Sequence, residues 1–132
     1  MTIKDAFNNS IKVPFFAPDI TEQDRKIVFN ALKSPLLTDG PILRRFEEKF
    51  ASYIGSKYAV GVSNATSALH LSLRALGIGK NDEVIIPDMT FVATASSVIL
   101  AGATPVLADI NYDDLNISPS SIENSLTSKT KA

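Results

Sequence analysis

Residues 58–76 pass from an unbroken apolar run, through a turn of small hydroxyl and amide side chains, into an amphipathic stretch. Tyr58-Ala59-Val60-Gly61-Val62 reads as a strand, and Ser63-Asn64-Ala65-Thr66-Ser67 as the turn that ends it. Leu69, Leu73 and Leu76 then recur at helical spacing, which predicts a helix from about Ala65 to Leu76, stopped by Gly77. A strand feeding a helix through a short turn is the building unit of α/β folds. Such a turn also leaves several backbone N–H groups unpaired at the positive end of a helix dipole, where a phosphate is the natural guest.

The same alternation continues downstream. Residues 83–86 read as a second strand, 90–101 as a helix closed by Gly102, and 104–108 as a third strand. Ser118-Pro119 opens a last helix, with Ile122 and Leu126 four apart. These strands are apolar without alternation and are separated by helices, which implies a largely parallel sheet covered on both faces. Upstream, residues 1–13 are polar and carry no period, so a loose arm is expected there. Phe15 and Phe16, between Pro14 and Pro18, form an extended apolar segment. Thr21-Glu22-Gln23-Asp24 has capping-box spacing, and Ile27, Val28, Ala31 and Leu32 mark one face of the helix that follows, ended by Ser34-Pro35. After a loop over residues 36–40, Pro41 suits a first helical position, and Leu43, Phe46, Phe50 and Ile54 define the next apolar stripe up to Gly55. Residues 127–132 look like the lead into a further strand. Three parallel strands alone would leave open edges, so the chain reads as the front part of a larger protein.

Composition excludes several classes of function. The chain has 132 residues, 45% hydrophobic and 20% charged, which fits one globular domain. Its net charge of −1, with scattered lysines and arginines, argues against a nucleic-acid groove or a polybasic membrane patch. With no cysteine and one histidine, neither a disulfide framework nor a zinc site is expected, and no metal ligand is assigned. No apolar run approaches the roughly 20 residues that cross a bilayer, and the N-terminus lacks the layout of a secretion signal. A cytoplasmic protein is expected.

Two segments carry chemistry. In Ser63 to Ser67 the plain reading is an N-cap, from Ser63 or Asn64, followed by a helix. The functional reading adds phosphate donors: the N–H groups of Ala65, Thr66 and Ser67 and the hydroxyls of Thr66 and Ser67. The segment is not a P-loop, because the Gly-Lys-Ser/Thr ending is missing, nor a dinucleotide fingerprint, because the glycine triplet is absent. In Pro87-Asp88-Met89-Thr90-Phe91, Phe91 is either a core residue at a helix start or an aromatic face just past a strand's carboxyl end. Ligands of open α/β sheets gather at such ends. A phosphate cradle beside a flat ring points to a flat, phosphorylated cofactor.

Taken together, these segments resemble the DegT/StrS-type nucleotide-sugar aminotransferases, pyridoxal-phosphate enzymes of fold type I. The resemblance runs from about Val13 to the end of the chain. It includes Leu37-Thr38-Asp39-Gly40-Pro41, Phe46-Glu47-Glu48-Lys49-Phe50, Ser63-Asn64-Ala65-Thr66-Ser67-Ala68-Leu69-His70, residues 77–87, Thr90-Phe91-Val92-Ala93-Thr94 and Gly102-Ala103-Thr104-Pro105-Val106. It implies that residues 14–132 are the N-terminal part of the three-layer α/β/α large domain, with a mostly parallel sheet. It implies pyridoxal 5'-phosphate as cofactor, its phosphate held by Ala65, Thr66 and Ser67 and its ring stacked on Phe91. Relatives often carry glycine at the Ala65 position, and alanine keeps the N–H. They often carry a small residue at the Asp88 position, so Asp88 either makes the site less tolerant of negative charge or caps the helix.

The resemblance further implies transfer of an amino group, from glutamate, to a keto-sugar nucleotide in surface-polysaccharide or amino-sugar biosynthesis, by a homodimer. In relatives the carboxylate on the pyridine nitrogen and the cofactor-bonding lysine come from later strands. The lysine motif, S-F-x-x-x-K, is absent here, so no catalytic residue is assigned. Asp109 reads as structural, Lys80, Lys129 and Lys131 as solvent-facing, and His70 as a satisfied, partly buried helix residue. Two other readings share the sequence: a related sugar dehydratase, with histidine in place of the lysine, and a truncated, non-catalytic product.

Overall fold

The computed structural model describes residues 17–132. The expected arm over 1–13 and the Phe15-Phe16 segment lie outside the described residues. The chain divides between Ala59 and Val60 into two units.

In the first unit, α1 (Glu22–Ala31) begins with the capping box that the spacing predicts. The Asp24 N–H donates to Thr21 Oγ1 at 3.2 Å, and the Thr21 N–H donates to Asp24 Oδ2 at 2.8 Å. Two otherwise orphaned donors are satisfied reciprocally. The exposed Asp24 carboxyl is held below its ordinary 3.8 by the Thr21 side-chain bond first and the Thr21 backbone bond second. Helix α2 (Pro41–Ile54) has Pro41 in its first turn and ends at Gly55, whose φ of 72° is left-handed. Its N-cap, Gly40, is buried where the loop doubles back. A Cβ there would sit 2.8 Å from the Leu36 carbonyl oxygen, so this turn closes only around glycine. Of the helical faces read from the sequence, Ala31 and Leu43 are half-buried, while Ile27, Val28, Phe46 and Phe50 are exposed.

The second unit is built on a β-α-β crossover. It runs through α3 (Ala65–Ala75), β1 (Glu83–Pro87), α4 (Ala93–Ala101), β2 (Thr104–Ala108) and α5 (Pro119–Ser125). Strands β1 and β2 are parallel, with Ile85 opposite Val106. Val84 and Ile86 join Ile78, Val98 and Ala103 in a small core, with Leu73 of α3 and Ala95 of α4 packed against it. Helix α5 packs on β2.

Three expectations are corrected here. The first is the strand over 58–62, which is absent from the sheet. The Glu83 N–H and C=O are both taken by the C-terminal segment, through the Lys129 carbonyl and the Lys131 N–H, each at 2.9 Å. Alternate residues of β1 pair with β2, so both edges of β1 are already occupied. The 58–62 run has no place on it, and Tyr58 and Val60 stay exposed. Residues 127–132 do lead toward a strand, as their pattern predicts, through a parallel bridge from Thr130 to Glu83.

The second correction is the start of the helix expected at Thr90. It begins at Ala93, because Asp88 still donates its N–H to the Ala108 carbonyl (3.0 Å) and holds the chain at the sheet edge. The third concerns Asp88 as a helix cap. The N-cap of α4 is Val92, with no side-chain bond.

Candidate cofactor-phosphate site

Helix α3 starts at Asn64, not Ser63. Its side-chain oxygen accepts the Ser67 N–H at 2.8 Å, while the Ser63 and Ser67 hydroxyls pair at 3.1 Å. The first intrahelical bond runs from the Ala68 N–H to the Asn64 carbonyl. The N–H groups of Ala65 and Thr66 are therefore left without an acceptor inside the helix. Of the three backbone donors expected from sequence, the Ser67 N–H is taken up by the cap, and those of Ala65 and Thr66 remain for a ligand. The hydroxyls of Thr66 and Ser67 lie in the same turn, and Thr66 is half-buried.

Phe91 lies in the turn between β1 and α4 and is 77% exposed. It is not a core residue. The Thr94 N–H donates to its carbonyl oxygen at 3.0 Å, and the Thr90 and Thr94 hydroxyls pair across it at 2.9 Å. This hydroxyl pair was missed in the sequence, although its signal, two threonines four apart at a helix start, is there to be read.

Helices α3 and α4 pack together, and their C-terminal ends meet where Arg74 Nη1 donates to the Ala101 carbonyl oxygen at 3.4 Å. Counting back from that contact at about 1.5 Å per residue, Ala65 and Ala93 lie about 13.5 Å and 12 Å up their helices. Both N-terminal turns thus fall at one end of the helix layer. That end is the carboxyl edge of the strands, because α4 leaves the end of β1 and both helices run down to a strand start. The two segments singled out in the sequence share one rim, where two helix dipoles present their positive ends. Between residues 62–69 and 87–95 the sole charged side chain is Asp88, so the donors these segments offer an anion are backbone N–H, hydroxyl and amide groups.

The other candidates fall elsewhere. Asp109 is exposed, its N–H donating to Ser121 Oγ (2.7 Å) and its Oδ1 accepting from the Ile110 N–H (2.8 Å), which ties it into the start of a loop. Lys80, Lys129 and Lys131 are exposed, and His70 is half-buried within α3.

Residues 18–132 match the DegT/DnrJ/EryC1/StrS aminotransferase family. The chain belongs to it. It is 44% identical over 120 residues to the spore coat polysaccharide biosynthesis protein SpsC of Bacillus subtilis (strain 168), covering 91% of this chain and 31% of that protein. Among solved structures, the PLP form of the putative sugar aminotransferase Spr1654 from Streptococcus pneumoniae superposes with a TM-score of 0.83 at 39% identity. That match covers 90% of this chain and 30% of that one. An aminotransferase from Psychrobacter cryohalolentis gives 0.81 at 43% identity, over 89% and 31%. The chain therefore has the α/β fold of fold type I sugar aminotransferases over about 30% of their length. Spr1654 has also been solved in a PMP form.

Proposed function

We propose that this chain supplies the phosphate cradle and the ring-stacking face of a pyridoxal-phosphate-dependent sugar aminotransferase. In this reading residues 14–132 are the N-terminal part of its large domain. The observation that carries the proposal is the shared rim: open N–H groups of Ala65 and Thr66 at one helix start, and the exposed Phe91 ring at the neighbouring one. The donors fit a phosphate monoester. Ala65 and Thr66 would bind it through backbone N–H groups, and the Thr66 and Ser67 hydroxyls would complete the oxygen contacts. Phe91 would lie against the pyridine ring and fix its plane, adding the stacking energy of an offset aromatic pair. When bound, the cofactor's ring draws electron density from the carbon that carries the amino group, which makes a proton there removable.

Family membership and the likeness to SpsC and Spr1654 support a sugar aminotransferase and a role in polysaccharide biosynthesis; the donor, the acceptor and the assembly are part of the proposal. An amino group passes from glutamate, leaving 2-oxoglutarate, to a keto-sugar nucleotide, for polysaccharide or amino-sugar biosynthesis. The protein would act as a cytoplasmic homodimer, with the lysine and the pyridine-nitrogen carboxylate supplied by sequence other than these 132 residues.

The test is a titration of the intact protein with pyridoxal phosphate, followed by the cofactor's own absorption. Phe91→Ala and Thr66→Ala should each weaken binding about tenfold, and inorganic phosphate should compete in the parent and compete poorly in Thr66→Ala. Parent-like affinity in both variants would overturn the assignment.

A further inference from the structure

We infer that Thr94, in the first turn of α4, is a positioning residue that fixes the orientation of the Phe91 ring through a hydroxyl clamp with Thr90. This rests on the reading of Phe91 as the ring-stacking residue. A side chain as exposed as Phe91 has little packing to hold it, so its direction depends on the backbone that carries it. That backbone is gripped on both sides by one residue. The Thr94 N–H donates to the Phe91 carbonyl at 3.0 Å, downstream of the ring. Thr94 Oγ1 pairs with Thr90 Oγ1 at 2.9 Å, on the residue just before it.

The grip has an anchor. The Thr94 carbonyl accepts the Ser97 hydroxyl at 2.9 Å, and Ser97 is 2% exposed, beside Val98 in the core of the unit. Every polar group of Thr94 is thus engaged: two with the residues flanking or forming the Phe91 turn, and one with the buried face of its own helix. Val92, the N-cap, offers no side-chain bond, so the turn lacks the usual cap that would otherwise define it. What the turn has instead is the Phe91 carbonyl as acceptor of the Thr94 N–H and the Thr90–Thr94 hydroxyl pair beside it.

The chain contains no tryptophan, so Phe91→Trp places a single indole of this segment at the ring position. In the intact protein carrying that reporter, three further variants are compared. Thr94→Val and Thr90→Val keep the branched shape and lose a hydroxyl, whereas Thr94→Ser keeps the hydroxyl. Each valine variant should lower the indole's anisotropy without ligand. Each should weaken quenching by pyridoxal phosphate about fivefold, the worth of a single hydrogen bond. Binding of inorganic phosphate, read by phosphorus NMR, should stay at the reporter's level, and Thr94→Ser should restore both signals. Thr90 is exposed, so Thr90→Val carries the test if Thr94→Val fails to fold.

Unchanged anisotropy in the valine variants would overturn the clamp. So would equal loss in Thr94→Ser, or a parallel loss of phosphate binding, since either would mean general disruption. If pyridoxal phosphate does not quench the reporter at all, the stacking assignment falls, and the ligand-free anisotropy still decides the clamp.

Discussion

Arg74 and Ala101 close the lower ends of two neighbouring helices, the guanidinium Nη1 of one donating to the last-turn carbonyl of the other at 3.4 Å. The contact complements the negative end of the α4 dipole and spares a C-terminal carbonyl from going unpaired. Replacing Arg74 by methionine retains most of the stem and removes the donor. Urea unfolding of Arg74→Met should show a loss of about 0.5–1.5 kcal/mol, as for a single net hydrogen bond. A midpoint equal to the parent's would mean that apolar packing alone aligns the pair.

Asn64 separates stability from binding at the same helix start. Its side-chain oxygen caps the Ser67 N–H, so Asn64→Ala should cost about 1 kcal/mol in unfolding free energy. Asn64→Asp keeps the cap and should hold stability within about 0.5 kcal/mol of the parent. It also sets a negative charge beside the open Ala65 and Thr66 donors. Inorganic phosphate should then bind measurably more weakly by calorimetry, and a phosphate affinity that survives Asn64→Asp would place the anion elsewhere.

Gly40 should tolerate no side chain. Its φ of −99° is open to any residue, so the objection is spatial: an added Cβ meets the Leu36 carbonyl oxygen at 2.8 Å and the Leu36 Cβ at 3.4 Å. Both neighbours belong to the tight loop that leads into α2. Gly40→Ala should cost about 1–3 kcal/mol, as overpacking does, measured as a lowered thermal midpoint.

The capping box of α1 should respond to acid. Hydrogen bonds from Thr21 lower the Asp24 carboxyl in the folded chain relative to its ordinary 3.8. The folded state therefore binds that proton less readily than the unfolded state does. The stabilisation is present above about pH 4 and is lost as pH falls through the depressed folded value. Asp24→Asn should flatten that part of the stability profile, on the acid side of the ordinary carboxylate value, measured by helical circular dichroism.

Helix limits were largely legible in the sequence because their causes lie within four residues. The Thr21–Asp24 box, Pro41 at the start of α2, and Gly55 and Gly102 as left-handed stops all do locally what their residue types allow. The start of α3 was narrowed to Ser63 or Asn64. Asn64 takes the role because it stands three residues before Ser67, whose N–H it accepts, while Ser63 pairs with the Ser67 hydroxyl. The start of α4 was misread by three residues, since periodicity cannot register an N–H still bonded across to Ala108.

By itself, then, the order of residues determined where helices begin and end, that strands alternate with them, and that small hydroxylated residues and an aromatic follow in set places. Local hydrogen bonds and side-chain volume suffice for that. Whether 58–62 became a strand was a tertiary matter, because a strand is made by pairing with another segment, and Glu83–Pro87 pairs with β2 and with the C-terminal segment instead. Tertiary structure likewise brought Thr66 and Phe91 to one rim. Twenty-five positions apart in sequence, they share it because α3 and α4 pack together with their C-terminal ends in contact, and each helix runs down to a strand start.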